Sequence, residues 1–156
     1  MKKPLKVVLL IVVSILLFGC STSPSNEQQL EIDALLTVSG SVERVLETSD
    51  FNAMKWTEIS ITRVSKDVET VIEAKGVLLS DVLDYLEITE FSKITVIAAD
   101  DYSQEYDAEI ASDAQTILVF YDGENLIDNE DGPIWLLAGN FSNSFSIKQL
   151  KEMVVE

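Results

Sequence analysis

The chain has 156 residues, 27 acidic against 11 basic side chains, a net charge of −16, one cysteine and no histidine. Such an acidic surface excludes nucleic-acid binding, which needs the opposite sign. With no histidine and a single cysteine, serine–histidine and cysteine–histidine nucleophiles, disulfides, the usual zinc sites and histidine-ligated haem are excluded as well.

Lys2, Lys3 and Lys6 form a positive start, and residues 7–17 are apolar except for Ser14. That run is long enough for a signal peptide and too short for a comfortable membrane span. It closes on Leu17, Phe18, Gly19 and Cys20, a small residue before a cysteine, which is the lipoprotein cleavage pattern. Phe18 is bulkier than usual there, and an uncleaved amphiphilic anchor is the other reading. Residues 1–19 are thus expected as a signal, Cys20 as the lipidation site, and residues 20–34 as a lipidated tether. The tether's polar part, residues 21–29, holds a proline and no apolar periodicity. Removing three lysines and no acid takes the exported part to about −19. Acyl chains, not charge, would then hold it to the exported face of a cell membrane.

Residues 35–156 are expected as one domain. Residues 35–42 read as a first strand with a bulge or turn at Gly40. Ser49 or Asp50 caps a short helical turn through Phe51 and Met54. Residues 56–64 alternate, with Ile59 and Ile61 on one face, and residues 68–74 alternate more clearly. Ser65, Lys66 and Asp67 between them make a hairpin. Gly76 ends the second strand, and Ser80 caps a helix over residues 79–86 that turns Val82, Leu83 and Leu86 inward. Residues 94–99 form a strand expected to be buried on both faces. Asp100 and Asp101 turn the chain, residues 102–106 return as a strand, and residues 107–111 make a helical turn. Residues 116–121 form a second buried strand, ending at the Asp122–Gly123 turn. Residues 134–138 follow the Asp131–Gly132–Pro133 turn as a third. Residues 146–153 begin as a helical turn and end as a short strand.

The order of these pieces resembles the molybdopterin-binding oxidoreductase domain of the sulfite oxidase type. The resemblance rests on Gly76 leading into the helix with Ser80, Asp81, Val82 and Leu83, and on the strand entering Asp100, Asp101, Tyr102 and Ser103. Asp122, Gly123, Glu124, Asn125 and Leu126, then Gly132, Pro133, Ile134, Trp135 and Leu136, and the lysine-bearing end complete it. It covers residues 36–155 and implies an α+β fold, a mixed β-sheet core with short flanking helices. It also implies molybdopterin as cofactor and a molybdenum-ligating cysteine within residues 59–74. No cysteine lies there, Trp135 replaces the arginine that follows Gly-Pro, and Arg44 and Arg63 are the only arginines of the chain. The resemblance therefore implies the fold without the redox chemistry.

Several constellations bear on function. Asp100, Asp101, Glu105 and Asp107 surround one turn, where hard oxygen ligands suit calcium or magnesium. A solvated acidic turn is the plainer reading, which leaves Asp100, Asp101 and Asp107 as weak cation candidates. Asp122, Glu124, Asp128, Glu130 and Asp131 cluster again but miss the EF-hand spacing at Ile127. Carboxylate pairs for acid–base work are too numerous to be specific, and serine–lysine pairs at Ser65–Lys66 or Ser146–Lys148 lack supporting context. Phe141 and Phe145 lie in a polar loop and are candidates for contact with a ligand or partner. The sequence thus points to a lipid-anchored exported domain acting as a binding or accessory module for a protein or small molecule. A molybdopterin-dependent oxidoreductase and a divalent-cation binder are the alternatives.

Overall fold

The computed structural model describes residues 30–127 and 129–156. The signal segment, Cys20, the tether through residue 29 and Asp128 lie outside them. The chain is packed from Leu30 onward, since Leu30 and Ala34 are buried in the main core and the Leu30 N–H donates to Asn52 Oδ1 at 2.8 Å. Among the described residues no helix is long and apolar enough to cross a membrane.

The fold is α+β, and the described residues form two five-stranded sheets. The first is mixed: β2 (Arg44–Glu47), β1 (Leu35–Gly40), β10 (Leu150–Val155), β5 (Ile94–Ala98) and β6 (Ser103–Tyr106), in that order. Only β1 and β10 run parallel. The second is antiparallel throughout. It orders β3 (Trp56–Ser65), β4 (Val68–Leu78) and β7 (Thr116–Asp122), and both β8 (Asn125–Leu126) and β9 (Trp135–Ala138) pair with β7. Among the described residues three short α-helices flank them: α1 (Thr48–Ala53), α2 (Leu79–Tyr85) and α3 (Ala108–Ser112).

Local chemistry explains most of these elements. The β3–β4 hairpin closes on Lys66 and Asp67, both with positive φ (50° and 64°), as a two-residue turn matched to strand twist requires. α1 starts with a capping box in which the Glu47 side chain and the Asp50 side chain each accept a backbone N–H of the other's residue. Asp107 caps α3 by accepting the Ile110 N–H at 3.0 Å.

Five expectations are corrected. β2 is an additional strand, inconspicuous in sequence because Leu46 is its only buried residue. Gly76 does not end a strand: β4 runs on to Leu78, and Gly76 sits at a bulge against β7. Ser80 is not a cap, because β4 passes straight into α2 at Leu78 and leaves Ser80 inside the first turn. β5 is buried on one face only, alternating between buried and half-buried residues, because the main core covers one side of its sheet. The stretch from Ser146 is not helical. Ile147 bridges to Leu136, and Gln149 takes a positive φ of 49° that turns the chain directly into β10.

The second sheet has apolar residues on both faces. Leu118 and Phe120 of β7 join Leu136 and Ala138 of β9 in the main core with Leu36, Val96 and Met153 of the first sheet. Ile117, Val119 and Leu137 face the other way and pack with Ile61, Ile72 and Ala74 in a smaller core. That smaller core is roofed by the curl of the sheet itself. In a flat sheet β3 and β9 would lie about 14 Å apart, three strand spacings. Here a methyl group built on Gly139, just past β9, would lie 3.1 Å from Ile61 Cδ1 of β3.

The approach of β4 to β7 leaves no room at Gly76, where an added Cβ would fall 1.8 Å from the Leu118 carbonyl oxygen. Gly76→Ala is therefore expected to destabilise the domain by about 3 kcal/mol. Gly123, with φ of 60° and open space around it, is expected to cost only about 1–2 kcal/mol when changed to alanine. Urea denaturation of both variants measures the difference, and equal losses would sink the packing explanation.

Candidate functional site

The outward curl of the second sheet leaves a seam between the free edge of β3 and the loop after β9. The loop, residues 139–146, is held from three sides. From the first sheet, the buried Tyr106 hydroxyl donates to the Phe145 carbonyl, and Tyr102 donates to the Ser144 carbonyl at 2.9 Å. Burial pushes the Tyr106 phenol well above its ordinary pKa, so it stays a protonated donor. From the α3–β7 connection, Asp113 accepts from the Asn140 side-chain amide at 3.1 and 3.0 Å. From β3, the Arg63 guanidinium donates to the Ala138 carbonyl at 3.1 Å, to Ser146 Oγ and to Asn143 Oδ1.

Arg63 is the unusual member of this set. It is half-buried, and among the described residues no carboxylate pairs with it; its acceptors are all neutral. Its Nε is buried with no acceptor. Burial lowers its pKa somewhat, yet a guanidinium remains charged at any physiological pH. A cleft of about 360 Å³ opens beside it, lined by Thr62, Arg63, Val64, Gly139, Phe141 and Asn143 among others.

Phe141 and Phe145 come together in this loop, with ring centroids 6.3 Å apart in an edge-on arrangement. Both are half-buried against the main core, and Phe145 also meets the Tyr106 ring at 6.2 Å. Phe141 lines the cleft. Arg63 was legible in outline: it continues the period-two row of Ile59 and Ile61 on the inner face of β3. A charged residue in an inward row is the signal that marks it.

The acidic turns are arranged differently. Asp100 Oδ1 accepts the Tyr102 N–H at 3.1 Å, Asp101 pairs with Lys151 at 2.5 Å, and Glu105 pairs with Lys93 at 2.7 Å. The Lys151 ammonium, by hydrogen bond and charge, holds Asp101 below the usual carboxylate range. Asp107 is spent as the α3 cap. In the second cluster Asp122 accepts the Glu73 N–H at 2.9 Å and Asp131 pairs with Lys148, while Asp128 lies outside the described residues. Among the described residues no group of three or more carboxylates stands together as a metal would require. A further groove of about 630 Å³ runs past Glu58, Ser60, Glu73, Lys75 and Glu124. Its one cation, Lys75, pairs with Glu58 at 2.7 Å, so the groove has an acidic lining.

The residues present do not fit a molybdopterin. The stretch 59–74 offers no thiolate, and the side chain it sends inward at the cleft is Arg63, a permanent cation with no lone pair for a metal. A pterin phosphate would find no cluster of cations: the larger groove is acidic, Arg63 is the one cation lining the cleft, and Arg44 is on the surface beside Asp50 at 3.4 Å.

No protein-family model and no curated protein matches the chain. Among solved structures, the sulfane dehydrogenase SoxCD from Paracoccus pantotrophus is similar, with a TM-score of 0.66 and 15% sequence identity. The match covers 81% of this chain and 40% of that one. The domain therefore has a sulfite-oxidase-type fold, and it spans less than half the length of the protein it matches.

Two outcomes test this account. Arg63→Met is expected to destabilise the domain by about 2 kcal/mol by removing the three hydrogen bonds that tie β3 to β9 and its loop, and Arg63→Lys to restore only part of that, since an ammonium cannot span the three acceptors. Calcium is expected to leave the melting temperature unchanged. Stabilisation of about 2.7 kcal/mol at a hundredfold excess over Kd would contradict the self-paired reading of the acidic turns.

Proposed function

We propose that this chain is a lipoprotein, attached through Cys20 to the exported face of a membrane, whose domain is a non-enzymatic binding or accessory module. The observation that carries the binding reading is Arg63. A half-buried cation bonded only to neutral acceptors, beside a cleft whose loop is held from three sides, suits recognition of a ligand and cannot ligate a metal. Preformed walls reduce the ordering cost of binding. The lipid anchor is supported by the cleavage pattern at Cys20 and by a surface too acidic to adhere to anionic lipid by charge.

Protein extracted in detergent from membranes is the material to test. The wild-type chain is expected in the membrane fraction with a mass raised by acyl chains, and Cys20→Ser to lose both properties. Elemental and mass analysis of the same material is expected to show no stoichiometric molybdenum and no pterin. Either one, present at one per chain, would overturn the non-enzymatic reading.

A further inference from the structure

The geometry points to the seam beside Arg63 as a docking site for the C-terminal end of an extended peptide, which adds to the free edge of β3 and places its carboxylate against Arg63. This rests on the binding-module reading and names its ligand class.

Three observations carry it. The first is the backbone of β3. It is the edge strand of its sheet, paired only with β4, in a register without slips from Trp56 to Ser65. The two-residue turn at Lys66 and Asp67 makes Ser65 and Val68 a hydrogen-bonded pair. By the alternation of an antiparallel ladder, Arg63 then exchanges bonds with Thr70 and Ile61 with Ile72. The N–H and C=O of Thr62 and Val64 consequently face the open edge, where a further strand could pair with them. No backbone bond to a loop occupies them among the described residues. Ten residues without proline or bulge make an unprotected edge of the kind peptides join.

The second observation is where that edge is open. Thr62, Arg63 and Val64 form one wall of the cleft, and Gly139, Phe141, Ser142 and Asn143 form the other. The gap is thus the place where the curled second sheet fails to close on itself. An entering strand would have backbone partners on one side, and Val64, which is 63% exposed, with the Phe141 ring to cover a side chain.

The third is charge. The exported domain carries about −19, and it would repel an acidic ligand everywhere except where a cation lacks a carboxylate. Arg63 is such a cation, and one carboxylate at a chain end supplies the missing counter-charge with little further negative charge. A small free acid would satisfy Arg63 but leave the β3 edge unused, which is how the two ligands are told apart.

The test uses the full-length protein in detergent micelles, titrated with a short peptide of alternating threonine and valine, its C-terminal amide, and acetate. The free-acid peptide is expected to bind at least about tenfold more tightly than the amide, and acetate to bind far more weakly than either. Val64→Pro removes one outward N–H without touching a bond to β4, and is expected to weaken the peptide about tenfold with the melting temperature preserved. Amide exchange in the wild-type protein needs no variant, and Thr62 and Val64 are expected to gain protection when peptide is added. Equal binding of acid and amide, acetate binding as tightly as peptide, or exchange at Thr62 and Val64 unchanged by peptide would each overturn the proposal. None of these failures bears on the lipid anchor or the absence of molybdopterin, which the membrane and elemental measurements decide separately.

Discussion

Everything in this domain hangs on β7, a strand buried along six of its seven residues with apolar side chains needed on both faces. Leu118 and Phe120 point into the main core, and Ile117 and Val119 into the smaller one. A strand in that position cannot have a polar face, and each neighbour must match it on both sides. The pairing with β4 is close enough that only glycine fits at position 76. The pairing with β9 fixes where the chain emerges at Gly139. From there the loop that builds the cleft has little freedom.

The cleft is a consequence of how the two sheets end. β6 is one edge of the first sheet, β2 being the other, and β3 is an edge of the second. The loop over residues 139–146 is bonded to both, through Tyr102 and Tyr106 on one side and Arg63 on the other. Arg63 therefore has a structural task as well as a proposed one: it holds the curled sheet to its own far strand. A guanidinium suits that task because its planar fork reaches several acceptors at once. It is also why the place where the resemblance implies a metal ligand is incompatible with one here.

The likeness to a sulfane dehydrogenase at 15% identity is a likeness of fold. Function resides in the residues grafted on a fold, and those differ. No histidine exists to hold a phosphate, no thiol exists in the domain to hold molybdenum, and the acidic turns are satisfied by their own lysines and backbone. What remains of a site is a cation, two phenylalanines and an open strand edge.

Local order was readable from the residues because it depends on local physics. Alternation marked β3 and β4; a continuous apolar run marked β7; Lys66–Asp67 and Asp100–Asp101 marked turns; and Asp107 marked the start of α3. The resemblance drew the α+β fold from the order of these pieces. Errors came where a distant partner decides. Gly76 looks like a terminator until β7 is laid beside it, and Ser80 looks like a cap until β4 is seen to run directly into the helix. Ile147 fits a helical turn until Leu136 bridges it. Residue identity alone fixes the charge, the lack of histidine and of any cysteine after Cys20, and the period-two rows of β3 and β4. Folding is what divides the strands into two sheets, curls the second, and brings Arg63 to the Ala138 carbonyl, 75 residues away along the chain, beside the loop holding Phe141. Long-range pairing sets these, because it depends on which surfaces meet, and no window of neighbouring residues contains that information.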